Sequence, residues 1–90
     1  MSGRAYAKEP IITPQGLQKI KVVTISDKAE KYNFIFVGEQ RFRVSSSAII
    51  LDYGKKPIHL RFLAVPCKAE ITYRLFGYNR DPLIEKIQLK

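Results

Sequence analysis

The sequence predicts an all-β fold, a single small barrel, and three observations point there. From Lys19 onward the apolar residues come in short runs, alternating or continuous, rich in β-branched and aromatic types. Gly, Pro, Asn and Asp punctuate those runs. No segment sustains a helical period, and 90 residues are too few for a second core. The expected organisation is a flexible N-terminal arm over residues 1–18, lacking the apolar stretch of a secretory signal, and one domain over residues 19–90.

The first strand is expected over residues 20–25, ended by Ser26-Asp27, with Asp27 to Lys31 able to form one helical turn. A second, over residues 32–37, places Tyr32, Phe34 and Phe36 on one face by the two-residue period. Gly38-Glu39-Gln40 turns the chain. The third strand, residues 41–51, is long: Phe42, Val44, Ser46, Ala48 and Ile50 share one face, Arg41, Arg43, Ser45 and Ser47 the other, and the serines mark a bend. The turn Asp52 to Pro57 follows. Residues 58–65 read as a buried strand stopped by Pro66. Residues 69–76 alternate Ile71, Tyr73 and Leu75 against Glu70, Thr72, Arg74 and Phe76. A loop from Gly77 to Pro82 leads to the last strand, residues 83–89, with Ile84, Lys86 and Gln88 on one face and Leu83, Ile87 and Leu89 on the other.

Five or six strands in about seventy residues, one of them long and bent, suit a five-stranded barrel of the oligonucleotide-binding (OB) type, with a small β-sandwich as the alternative. With 46% of residues apolar and 27% charged, the domain should fold. Its core is small, and a single cysteine allows no internal disulfide. One histidine, His59, and one cysteine, Cys67, are too few for a four-ligand zinc site, so oligomerisation is the expected source of extra stability. The lone thiol fits a reducing compartment and no twenty-residue apolar run is present, which together point to the cytoplasm and to no membrane.

Catalysis needs a nucleophile beside a base, or paired carboxylates, and the sequence offers neither; no cofactor, metal or small-molecule substrate is expected. Sixteen Lys and Arg against eight Asp and Glu give a net charge of +8, which attracts polyanions. Cations interleaved with rings bind single-stranded nucleic acid: the cations neutralise phosphates and the rings stack on unpaired bases. The candidates are Arg41, Phe42 and Arg43 beside a turn, Arg74 and Phe76 near a loop, and Tyr78 and Arg80 in it. Phe34, Phe36, Phe62 and Tyr73 read as core fillers.

The order of these features resembles the filamentous-phage single-stranded DNA-binding proteins of the gene V type. Ile20-Lys21-Val22 with Ser26-Asp27 looks like that family's first strand, and Gly38 to Phe42 resembles its Gly-Lys-Pro-Tyr hairpin wing. Leu51-Asp52-Tyr53-Gly54 to Pro57-Ile58-His59-Leu60-Arg61 is similar to its Asp-Leu-Gly turn and following strand, and Leu83 to Leu89 to its closing strand. The resemblance implies an OB-like homodimer in which Phe42 is a wing aromatic, Arg61 and Lys86 bind phosphates, and Phe76 or Tyr78 is a loop ring. The wing here has an extra residue and no Pro, Ile50 and Lys56 stand where the family has aromatics, and almost twenty N-terminal residues are foreign to it. The expected function is a non-catalytic, largely sequence-independent single-stranded DNA-binding protein. Its rival is a structural or protein-interaction module of a phage or virus assembly, docking by strand addition.

Overall fold

A computed structural model of the chain describes residues 16–76 and 80–90. Its strands are β1 (Leu17–Ile25), β2 (Asp27–Ala29), β3 (Phe34–Val37), β4 (Gln40–Leu51), β5 (Cys67–Leu75) and β6 (Leu83–Leu89), with 3-10 turns at Glu30–Tyr32 and Leu60–Phe62. One mixed sheet joins them in the order β1-β5-β6-β4-β3-β2, antiparallel except for the parallel pair β4 and β6.

The two ends of that order are neighbours in the chain, and this curls the sheet. Only Ser26 separates β1 from β2; its N–H (2.8 Å) and its hydroxyl (3.0 Å) both donate to the Phe36 carbonyl, while the hydroxyl accepts from the Gly38 N–H at 3.2 Å. Residues 17–29 thus act as one bent strand that pairs with β5 through its first part and with β3 through its second. Counted so, the sheet is the five-stranded, partly open barrel of the OB type.

The core lies inside this curl. Ile25, Ile35, Ile71, Ile84 and Ile87 are fully buried, and Phe42 meets Tyr73 edge to face at 5.4 Å between ring centres. Two bulges set which side chains point in. Between Val44 and Ile49, β4 carries three more residues than β6 does between their partners Ile84 and Lys86. The expected bend at the serines falls there, held by the Ser47 N–H donating to the Ser45 hydroxyl at 3.2 Å. In β6, Glu85 is the extra residue between Ile84, opposite Tyr73, and Lys86, opposite Thr72. That inserted residue reverses the alternation, so Ile84 is buried together with Ile87 and Leu89 rather than facing out beside Lys86.

Besides the facing of Ile84, four expectations need correction. Leu17 and Gln18, expected in the flexible arm, open β1 instead. Residues 58–65 are not a strand: after the Leu51–Pro57 bridge the chain makes the 3-10 turn at Leu60–Phe62. The residues it packs inward, Ile58, Leu60 and Leu63, change spacing from two to three, and a continuous apolar run does not distinguish that pattern from a strand. Asp27 to Lys31 divides between β2 and the first 3-10 turn instead of forming a helical turn by itself. In β3 the inward residue is Ile35, so Phe34 and Phe36 stand half-buried on the outer face, and Phe62 is 63% exposed; of the expected core rings only Tyr73 is buried.

Candidate nucleic-acid interface

The outer face of β3 and β4 is built by a tight hairpin. Val37 pairs with Gln40, leaving Gly38 and Glu39 as the connection, and Gly38 takes φ +63°, which glycine adopts without strain. This turn fixes the register, setting Arg41 opposite Phe36 and Arg43 opposite Phe34. The row runs on across the sheet, from Arg43 to Leu83 and from Leu83 to Arg74.

Here Arg80 and Asp81, just before β6, lie against the hairpin. Phe34, Arg41, Arg43, Arg80 and Asp81 line a groove of about 420 Å³. The Arg41 guanidinium lies 4.6 Å from the Phe34 ring centre and donates to the Asp81 carboxylate at 2.9 Å, and the Arg43 N–H donates to the Pro82 carbonyl at 2.9 Å. Arg80 stands over Phe76, 5.9 Å from its ring centre. Gly16 approaches Phe76 closely: a Cβ there would lie 3.0 Å from the ring and from the Leu75 carbonyl, and its φ of +84° favours glycine. Among the described residues no carboxylate lies within ion-pair distance of Arg43 or Arg80.

Four of the nine sequence candidates, Arg41, Arg43, Phe76 and Arg80, therefore meet around this groove. Arg74 is on the same face, but its guanidinium donates to Glu85 at 2.6 Å, and Gln18 donates to the same carboxylate at 3.2 Å. Lys86 is exposed one row further along, opposite Thr72 and Ile49. Arg61 sits at the second 3-10 turn, its guanidinium 5.0 Å from the Phe62 ring centre, away from the groove. Tyr78 lies outside the described residues. Phe42 is corrected outright: it is 2% exposed and packed on Tyr73, because the outward positions of the hairpin fall to the arginines either side of it. A ring with no free face cannot stack on a base.

Sequence reasoning missed Phe34 and Asp81. Strict alternation from Tyr32 put Phe34 on a core face, but Asn33 adopts a left-handed conformation (φ 58°, ψ 47°) that ends the 3-10 turn and separates Tyr32 from the strand. Asp81 carried no local signal, since its partner is forty positions away.

Burial pushes the Cys67 thiol above its ordinary value, with the charge of Lys28 pulling the other way, which favours the neutral thiol over the thiolate. Among the described residues no group of His, Cys, Asp and Glu side chains could hold a metal ion. No protein-family model matches the chain, and neither a curated protein nor a solved structure does.

Proposed function

We propose that this chain is a non-catalytic single-stranded nucleic-acid-binding protein that coats its ligand with little sequence preference, with DNA as the preferred strand and a homodimer in the cytoplasm as the working form. The observation that carries the reading is the convergence of Arg41, Arg43 and Arg80 with Phe34 and Phe76 on the outer face of β3 and β4. In OB barrels that face, together with the loops flanking it, takes oligonucleotides. Guanidinium groups neutralise phosphates and half-buried rings offer a π-face to any base. The groove's carboxylate, Asp81, is already held by Arg41, which leaves few groups to read base edges and favours tolerance of sequence. The preference for DNA rests on the resemblance to the phage proteins.

The protein-interaction reading has one observation of its own. Ile20 is 61% and Val22 49% exposed on β1, which pairs with β5 along one side. Lys19 and Lys21 on the same strand disfavour addition of a further strand, as charges on sheet edges commonly do.

Fluorescence anisotropy with labelled single-stranded DNA, its duplex and matching RNA at two salt concentrations tests the proposal. Salt-sensitive binding to the single strand, weakened by Arg43→Ala, is the expected result. Absence of binding at low salt refutes it and leaves the β1 surface as the place to look for a protein partner.

A further inference from the structure

A second groove, of about 760 Å³, opens where β4 bends. One bank is the first 3-10 turn with Glu30, Lys31 and Asn33; the floor is the bend itself, with Val44, Ser45 and Ser46; the other bank is His59, Leu60 and Arg61. The two grooves follow one another along the outward positions of β4, since Arg41 and Arg43 line the first and Ser45, the next residue on that face, lines the second.

Lys28 ties the banks together. Its ammonium donates to the Leu60 carbonyl at 3.1 Å and to the Arg61 carbonyl at 2.7 Å, and pairs with the Glu30 carboxylate at 3.3 Å. The groove width is thereby set in advance, and the acid on its wall is neutralised, leaving Lys31 and Arg61 as surplus cations. Each bank also carries a large exposed ring, Tyr32 at 68% and Phe62 at 63%. Phe62 neighbours the lining residues Arg61 and His59, its ring centre 6.4 Å from that of His59. A preset, cationic groove with an exposed ring on each bank has the chemistry of a base-and-phosphate subsite.

We infer that this groove is a second subsite for the same single strand, which leaves the β3–β4 face at Arg43, crosses the serine bend and places further nucleotides between the two 3-10 turns. Arg61 and Lys31 meet phosphates there, and Phe62 and Tyr32 stack bases. The inference rests on the proposed single-strand binding and adds the direction and length of the path.

The test is anisotropy with labelled oligothymidylates of about 4 to 16 nucleotides, the range of site sizes for one OB barrel. Wild type is compared with Arg61→Ala, Phe62→Ala and Arg43→Ala. Arg43→Ala should weaken every length. Phe62→Ala, at an exposed position, should leave the shortest oligonucleotide unaffected and weaken the longer ones by about tenfold, within the range for losing one stacked ring, and Arg61→Ala should do the same with a reduced salt dependence. Because the chain contains no tryptophan, Phe62→Trp supplies a single indole whose quenching on adding the long but not the short oligonucleotide reports stacking directly. Equal affinities of wild type, Arg61→Ala and Phe62→Ala at every length, with Arg43→Ala still weakened, overturn the second subsite and leave the first intact. No binding by wild type at any length overturns both.

Discussion

The Arg43→Ala substitution, read together with Asp81→Asn, tests the charge arithmetic of the β3–β4 face. Among the described residues three guanidinium groups line the groove and one carboxylate, Asp81, offsets Arg41, a net of two cations. Each phosphate neutralised on a single strand contributes about −0.7 to the slope of log affinity against log salt. Two such contacts give a slope of about −1.4, which over a fourfold rise in salt is a loss of about sevenfold. Arg43→Ala leaves one contact and a loss of about 2.6-fold, whereas Asp81→Asn frees Arg41, restores three contacts and steepens the loss to about 18-fold. Cations elsewhere on the chain steepen all three curves alike, so the differences between them are the readout. Anisotropy titrations of one oligonucleotide at four salt concentrations measure the slopes. Three parallel lines, or an Asp81→Asn variant that binds more weakly than wild type at low salt, would refute the assignment of this face.

Phe42→Ala should destabilise the fold by about 3–5 kcal/mol through loss of the Tyr73 contact and the cavity left behind, seen in urea unfolding; a variant of unchanged stability with impaired binding would instead restore Phe42 as a stacking ring. Lys28→Met should cost about 1–3 kcal/mol, because the Leu60 and Arg61 carbonyls lose their shared donor, and thermal denaturation within experimental error of wild type would show that the 3-10 turn holds itself. The raised thiol of Cys67 makes stability fall as pH climbs past 9.0, since the unfolded chain gives up that proton first; the decline should be shallower in Cys67→Ala, and equal declines between pH 8 and 10 would contradict it. The same Lys28→Met change removes the charge that opposes this shift, so the thiol should react still more slowly with a disulfide reagent at fixed pH.

Most of the fold was legible because strand-forming residues and the turn residues between them mark where each strand begins and ends. The last strand is found at the expected bounds, and β4 differs by one residue at its start. What local pattern cannot carry is an inserted residue whose effect depends on the neighbouring strand. Glu85 reverses the facing of Ile84 relative to Ile87 only because β5 has no matching extra residue. The 3-10 turn at Leu60–Phe62 stayed hidden for a related reason: its apolar residues pack against different parts of the curl, and the run looks uniformly strand-like. At the interface the cations were visible as cations, but their grouping was not. Arg41 and Arg43 meet Arg80 because residues 80–82 lie against the hairpin, and Arg74 is withdrawn by a glutamate eleven positions on.

The pairing of β1 with β5 that closes one side of the curl also separates the sheet's strand pairs widely in folding time. The β3–β4 hairpin closes over two residues, a microsecond event, whereas β1 must wait for β5, with Leu17 opposite Leu75. Long-range pairings of that kind slow folding to milliseconds or more. The arginine-bearing hairpin should therefore be present in early collapsed species, and pulse-labelled hydrogen exchange during refolding should protect the amides of Ile35 and Phe42 before those of Val23 and Ala69.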